Sequence, residues 1–219
     1  MARPRVVVFD AYGTLLDIHS AVGRHALRLG EKAGAVSVLW RAKQLEASWI
    51  LSAAGTYEGF DAITARALDH ALAVHRIRDD GLRAELLGAY RALDAFPDAV
   101  AALSRLRAVG IPAAILSNGE PGMLRAAVEA SGLAPHLAEV LSVHALRRYK
   151  PHPQVYAMVT ERFSCQPHEV GFVSSNAWDA YGAGRFGFRV FWVNRAGGPV
   201  EYWLDETGTV LRDLSELPA

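Results

Sequence analysis

The stretch Arg5-Val6-Val7-Val8-Phe9-Asp10-Ala11-Tyr12-Gly13-Thr14 decides the fold of this chain. Its first half is apolar, rich in β-branched residues and closed by a carboxylate, which predicts a buried strand over Arg5 to Phe9. The near-absence of polar positions is typical of a strand covered on both faces, as in a parallel sheet. Three later runs share the pattern, and we predict strands there: Ile111 to Leu116, Val170 to Val173 and Phe188 to Val193.

Helical patterns separate the later strands. One covers Pro97 to Val109, where Pro stands at the helix start and a Gly follows the end, a second follows Pro121, and a third covers Pro153 to Phe163. Strands that alternate with helices predict an α/β fold with a doubly wound parallel sheet, and the ligand site of such a fold lies at the carboxyl ends of the strands.

The segment from Leu16 to Phe96 breaks this alternation. It carries only helical patterns, which we place at Val36 to Leu51, Phe60 to His75 and Leu82 to Leu93. We therefore predict a core domain of residues 1–15 and 97–219 and a helical cap of residues 16–96, inserted directly after the first strand. A cap in that position can fold over the strand ends and exclude water from the site.

Composition narrows the class of partner. The chain has 219 residues, and its 23 Lys and Arg balance 23 Asp and Glu, so no overall field attracts nucleic acid or an anionic membrane. The expected partner is a small molecule. The single cysteine, Cys165, excludes an internal disulfide and suits a reducing compartment. With neither a signal peptide nor an apolar run of about eighteen residues, the expected location is the cytoplasm.

Polar groups follow the predicted strand ends and converge at one edge of the sheet. Each alone is weak evidence, because an Asp after a strand is most often a turn former. Lys150 precedes Pro151, which restricts it to an extended or turn conformation and gives its side chain a defined direction. Together they predict a site formed by Asp10 to Thr14, Ser117 to Gly119, Lys150, and Ser174 to Asn176 with Asp179.

This combination resembles the haloacid dehalogenase superfamily over nearly the whole chain. In its phosphatases, the position two residues after the nucleophilic Asp holds a second Asp, which protonates the leaving alcohol and helps to hold magnesium. Here that position is Tyr12. A halide leaves without a proton, so Tyr12 favours cleavage of a carbon–halogen bond. The L-2-haloacid dehalogenase branch is matched at Asp10 to Leu15, Leu39 to Glu46, Val173 to Asp179 and Trp192 to Arg195.

The resemblance implies that Asp10 displaces halide from a short (S)-2-haloalkanoic acid and forms an ester. Water then attacks the side-chain carbonyl and releases the (R)-2-hydroxy acid. No metal or organic cofactor is implied, and the family suggests a homodimer. The halide would be received by Arg41 and Asn118, and the substrate carboxylate by Ser117 and the backbone amides of Ala11 and Tyr12.

The remaining roles support these groups. Lys150 would keep Asp10 ionised, with Ser174, Asn176 and Asp179 orienting that lysine and the hydrolytic water. Thr14 would bond to the nucleophile, and Tyr156 would lie near the substrate carboxylate. The apolar wall around the alkyl group would consist of Tyr12, Leu45, Phe60 and Trp178.

Structural alternatives stay open for these residues. Arg41 can be a solvated helix charge, Ser117 can cap a turn, Ser174 to Asp179 can cap the next helix, and the wall can be ordinary core. Ala42 stands where close members commonly have Gln, so the pocket is expected to differ there. At the level of function, the alternatives are a magnesium-dependent phosphatase of small phosphate esters and a catalytically silent binding protein.

One motif is set aside. Gly182 to Gly187 spells the dinucleotide-binding fingerprint, but it follows a predicted helix and precedes a strand, the reverse of the order that phosphate binding requires. We expect these glycines to allow close packing near a helix end.

Overall fold

The computed structural model describes residues 3–218, and residues 1–2 and 219 of the predicted core lie outside the described part. Six strands form one sheet in the order β3-β2-β1-β4-β5-β6, and every neighbouring pair is parallel. The α/β prediction is confirmed. The strands are β1 Val6–Phe9, β2 Ala113–Ser117, β3 Glu139–Ser142, β4 Val170–Ser174, β5 Arg189–Val193 and β6 Thr209–Leu211.

Seven helices of at least ten residues accompany the sheet: α1 Ala33–Ala53, α2 Phe60–Val74, α3 Asp80–Tyr90, α4 Ala99–Ala108, α5 Pro121–Ala130, α6 Pro153–Phe163 and α7 Ala177–Phe186. Single-turn α-helices occur at Ser20–Gly23, Ala26–Leu29 and Leu204–Thr207. Short 3₁₀ helices occur at Gly30–Lys32, Ala134–His136, Val143–Leu146, Pro167–Glu169 and Leu214–Glu216. None of the helices in the described chain is long and apolar enough to cross a membrane.

The first strand lies inside the sheet, between β2 and β4, and all four of its residues are apolar and buried. From β1 the chain builds outward through β2 to β3, then returns to place β4 on the other side of β1. The reversal makes the β1–β4 boundary the switch point at which doubly wound sheets bind ligands. Phe9 pairs with Val173, so Asp10 and Ser174 follow side by side at that point.

Strands β3 and β6 are absent from the sequence-based prediction. They are the two edge strands, four and three residues long, and most of their side chains are partly or fully exposed. An edge strand that needs no apolar cover on both faces leaves no continuous apolar run in the sequence.

The predicted helical segment packs α1 against α2 and reaches the core through two adjacent chain crossings. The outgoing and returning chains are joined where the Asp17 amide donates to the Asp94 carbonyl at 2.8 Å and the Phe96 amide donates to the Leu15 carbonyl at 2.9 Å. The chain therefore leaves the core and returns to it at one place, and side-chain contacts such as that of Arg41 with the Tyr12 carbonyl also hold the helices against the core.

The glycines of Gly182 to Gly187 lie in α7 and its C-cap, before β5, as expected. A Cβ on Gly182 would stand 2.6 Å from both Pro151 Cβ and the Tyr156 hydroxyl. Their role is close packing, and the sequence interpretation is confirmed.

Candidate active site

Asp10 follows β1 and is 6% exposed, with both carboxylate oxygens held by side chains. Lys150 Nζ donates to Oδ1 at 3.0 Å. Asn176 Nδ2 donates to Oδ2 at 2.7 Å, and Thr14 Oγ1 donates to the same oxygen at 3.3 Å. The Asp10 amide donates to the Val173 carbonyl at 2.9 Å, which fixes the backbone as well. The structure thus presents a carboxylate in one defined orientation.

Lys150 is fully enclosed and lies between two carboxylates. Its Nζ also donates to Asp179 Oδ2 at 2.8 Å, and its amide donates to Asn118 Oδ1 at 3.0 Å. Burial by itself lowers the pKa of Lys150, but the charges of Asp10 and Asp179 outweigh it and raise that pKa above its ordinary value. The lysine is charged, and one ammonium serves two acidic groups.

Asp179, on the first turn of α7, is completely buried. Burial raises its pKa to about 6, while the charge of Lys150 acts in the opposite direction. Ser174 Oγ donates to Oδ2 at 3.2 Å, and the Tyr156 hydroxyl donates to Oδ1 at 2.8 Å. Asp179 is therefore oriented on both oxygens and in turn orients Lys150, as the sequence predicts.

Two predicted residues contact side chains that the sequence did not indicate. Tyr156 was expected near the substrate carboxylate, but its buried hydroxyl is used by Asp179, because α6 and α7 pack directly against each other. Asn176 was expected to orient Lys150, but it donates to Asp10 and, at 3.1 Å, to the Tyr12 carbonyl. Thr14 bonds to Asp10 as predicted and also accepts from the Ser175 amide at 2.8 Å.

Arg41 reaches the strand-end loops from α1. Its Nη1 donates to Gln44 Oε1 at 2.7 Å, and its Nη2 donates to the Tyr12 carbonyl at 3.2 Å and to Asn176 Oδ1 at 3.4 Å. The alternative of a solvated helix charge is excluded by these contacts. Ala42, the next residue, is solvent-exposed.

Asn118 and the loop after β1 carry donors suited to an anion. Because Asn118 Oδ1 accepts from the Lys150 amide, its NH₂ group is turned the other way. The backbone amides of Ala11 and Tyr12 donate to no group in the described chain. Ser117 Oγ accepts from the Gly119 amide at 3.1 Å, so its observed contact is the turn-capping one.

An aromatic layer covers one side of the site. The Tyr12 ring stacks on Tyr90 with centroids 5.5 Å apart and lies 5.9 Å from Phe60. Burial raises the pKa of Tyr12 above its usual range, and its hydroxyl has no hydrogen-bond partner among residues 3–218. Phe60 is buried. Of the predicted wall, the structure brings Tyr12 and Phe60 together directly.

The other two wall residues, Leu45 and Trp178, are half-buried. Trp178 meets the edge of Trp49 with centroids 5.4 Å apart. The sequence analysis did not predict Trp49, although it lies four residues beyond Leu45 on the helix face that carries Arg41. Helical spacing was the available signal.

Gln44 and Tyr90 were also missed. Gln44 lies three residues after Arg41, within reach on the same helix face, so spacing could have indicated it. Tyr90 lies in α3, and no sequence pattern indicates its role, because only the packing of three helices brings it to the site.

Chemically, the arrangement is an oriented carboxylate beside an ammonium, with a guanidinium and several free amide donors close by. Such a carboxylate can attack an electrophilic carbon while cationic and amide groups receive an anion. In the described part of the chain, no three His, Cys, Asp or Glu side chains cluster in a way that could hold a metal ion.

Comparison with known proteins gives consistent matches. The sequence model of the haloacid dehalogenase-like hydrolases matches residues 4–187. An (S)-2-haloacid dehalogenase 4A of Burkholderia cepacia is 47% identical over 97% of this chain and 93% of its own length.

Two solved structures are similar throughout. A dehalogenase with an intermediate complex superposes with a TM-score of 0.96 and 45% identity, covering 99% of this chain and 96% of that one. The L-2-haloacid dehalogenase of Xanthobacter autotrophicus with chloropropionic acid covalently bound gives a TM-score of 0.87 and 35% identity, covering 98% and 96%.

Proposed function

This chain belongs to the haloacid dehalogenase-like hydrolases, and we propose that it hydrolyses short (S)-2-haloalkanoic acids to (R)-2-hydroxyalkanoic acids and halide. The observation that carries the proposal is the fixed carboxylate of Asp10, with Lys150 on one oxygen and Asn176 on the other. The similar proteins described above are dehalogenases, which supports the same reaction here.

In the first step, a carboxylate oxygen of Asp10 bonds to the carbon that bears the halogen, from the face opposite the leaving group. The carbon–halogen bond breaks as the carbon–oxygen bond forms, so the configuration inverts and an ester remains. The halide leaves with the electron pair. Arg41 and the NH₂ group of Asn118 would receive it, stabilising charge that develops only in the transition state.

The substrate carboxylate needs donors that do not repel it. The free amides of Ala11 and Tyr12 meet that need, and Ser117 stands at the neighbouring strand end. The charge of Lys150 offsets the repulsion between this carboxylate and Asp10.

In the second step, water adds to the side-chain carbonyl of Asp10 and the acyl–oxygen bond breaks. The hydroxy acid keeps one oxygen that began on Asp10, and the carboxylate is restored with an oxygen from water. Water loses a proton in the addition and the departing alkoxide gains one. Asp179, Ser174 and Tyr156 would act in both steps by holding Lys150 in place.

The phosphatase alternative lacks its acid. Tyr12 occupies the position of the second Asp, and burial raises its pKa, which makes it a weaker acid than an ordinary phenol. The hydroxyl of such a residue is poorly suited to protonate an alkoxide.

We also infer the domain organisation, the oligomeric state and the location of the protein. Residues 16–96 would act as a cap that supplies Arg41 and excludes water from the core of residues 1–15 and 97–219. The protein would form a homodimer, in keeping with apolar side chains exposed on the helical segment, such as Leu27, Val38 and Ile50. It would act in the cytoplasm on small molecules. Light scattering on the purified protein measures the oligomeric state.

The test is halide release from (S)-2-chloropropionate after chelator treatment, with chiral chromatography of the product. We expect chloride and the (R)-hydroxy acid in equal amounts, and none of either from the Asp10→Asn variant. A single turnover in heavy-oxygen water should place label in the peptide that contains Asp10. The proposal is wrong if chloro-, bromo- and fluoroacetate also release no halide, and magnesium-dependent phosphate release from an aryl phosphate would establish the phosphatase instead.

A further inference from the structure

We propose that Gln44 is a positioning residue for Arg41, a neutral amide that aims the guanidinium at the leaving group without neutralising its charge. This rests on the proposed function, in which Arg41 receives the halide. Gln44 is completely buried in α1, at the contact with α2.

Gln44 is fully engaged through both ends of its amide. Its Oε1 accepts from Arg41 Nη1 at 2.7 Å and from the Tyr90 hydroxyl at 3.0 Å. Its Nε2 donates to Thr64 Oγ1 at 2.6 Å. One side chain therefore connects α1, α2 and α3, and its oxygen is the atom that faces Arg41.

The direction of the amide follows from Thr64. The Thr64 hydroxyl donates to the Phe60 carbonyl at 2.6 Å, which leaves only its lone pairs for Gln44. An NH₂ group can donate to those lone pairs, whereas the amide oxygen cannot. Trp40 Nε1 donates to the Thr64 carbonyl at 2.8 Å and holds α2 against α1. The amide oxygen is thus directed at Arg41 by hydrogen-bond chemistry.

All acceptors that Arg41 meets in the described chain are neutral. Besides Gln44, they are the Tyr12 carbonyl and the amide oxygen of Asn176, and the neutral Tyr90 hydroxyl also lies beside the guanidinium. A carboxylate in the place of Gln44 would form a buried ion pair and occupy the charge that an arriving anion needs. An amide fixes the same geometry and leaves the positive charge available.

The test is the Gln44→Glu variant, which keeps the size of the side chain and replaces the amide by a carboxylate. We expect single-turnover chloride release from (S)-2-chloropropionate to slow about 100-fold, the scale of losing one transition-state donor. Bromide leaves more readily and depends less on Arg41, so release from (S)-2-bromopropionate should slow less. The chloride-to-bromide rate ratio should therefore fall.

Two further variants make the outcome decisive. Tyr90→Phe removes one hydrogen bond to Gln44 and should lower the same ratio while slowing chloride release about fivefold. Glu46→Gln makes the reverse chemical change on the exposed side of α1 and should leave both rates at their wild-type values. Circular dichroism melts check folding, and if Gln44→Glu does not fold, Tyr90→Phe decides.

Equal slowing of both halides, or wild-type rates in Gln44→Glu, would overturn the role of Gln44. Absence of halide release from the wild type would overturn the proposed function instead. In that case, bromide binding measured by tryptophan fluorescence tests Gln44 without turnover. The wild type should bind bromide. Gln44→Glu should bind it at least tenfold more weakly, because a charge-assisted contact to the anion is lost. Equal bromide affinities would count against the proposal.

Discussion

Lys150 Nζ lies 3.0 Å from Asp10 Oδ1, although 140 positions separate the two residues in the chain. The parallel sheet brings them together, because Asp10 follows the central strand and Lys150 lies in the loop that precedes α6. With Asp179 at 2.8 Å on its other side, the ammonium stands between two carboxylates. Three buried charges thus form a single unit with one excess negative charge.

Removing Lys150 should disable this unit. In Lys150→Met, Asp10 and Asp179 lose their shared cation, so halide release should fall about 1000-fold. The unfolding free energy at neutral pH should fall by about 3–5 kcal/mol, the cost of breaking a buried pair. Urea denaturation and a halide assay measure the two effects. Lys43→Met, on the exposed side of α1, should change neither, and a Lys150→Met protein of wild-type activity would contradict the assignment.

Acid should inactivate the protein through Asp179. With a pKa of about 6, this carboxyl gains a proton as the pH falls through that value and ceases to be an anionic partner for Lys150. We expect kcat/KM to fall about tenfold per pH unit below 6. The Asp179→Asn variant should lack this limb in whatever activity remains, and an unchanged limb would assign it to another group.

Asp179 should affect folding stability and activity in opposite ways as the pH changes. The folded-state pKa lies above the ordinary value of 3.8, so the folded protein holds this proton more tightly than the unfolded chain. The contribution of Asp179 to stability therefore decreases as the pH rises from about 4 to about 6. Comparing melts of the wild type and Asp179→Asn across this range isolates the contribution.

Gly119 should tolerate no side chain. A Cβ there would stand 2.8 Å from Tyr12 Cε2 and 3.1 Å from Leu124, so Gly119→Ala displaces the Tyr12 ring. We expect a loss of about 1–3 kcal/mol in unfolding free energy and a higher KM for haloacids. Gly122→Ala in α5 is the matched control, since nothing lies within 4 Å of its Cβ. That variant should gain about 0.5–1 kcal/mol.

Two buried tyrosines should respond in opposite ways to loss of the hydroxyl. The Tyr12 hydroxyl has no partner in the described chain, so Tyr12→Phe should raise the unfolding free energy by about 1 kcal/mol. The Tyr90 hydroxyl donates to Gln44, so Tyr90→Phe should lower it by a similar amount. Chemical denaturation of both variants measures the difference. A loss of stability in Tyr12→Phe would show that its hydroxyl is satisfied.

The sequence predicts the centre of the sheet better than its margins. Strands β1, β2, β4 and β5 are covered on both faces or nearly so, and the resulting apolar runs are visible without a structure. The edge strands β3 and β6 are short and exposed, and their pairing depends on a neighbour already in place. The local sequence therefore does not indicate these two strands.

Within the site, residues at the strand ends could be predicted from the sequence, whereas contacts made by helix packing could not. Asp10, Ser174 and Asp179 could be predicted because the ends of parallel strands meet at one edge. The hydrogen-bond partner of Tyr156 could not be predicted, because its hydroxyl reaches Asp179 only through the packing of α6 on α7. Gln44 likewise gains its contacts from three helices at once.

The paired crossings at Leu15–Phe96 and Asp17–Asp94 have an evolutionary consequence. To the sheet, everything between them is one excursion that begins and ends at the same place, closed by backbone hydrogen bonds. The entropic cost of closing such an excursion grows only slowly with its length. The segment between these crossings can therefore change in length while Asp10 and Lys150 keep their places, provided that α1 still brings Arg41 to the strand ends.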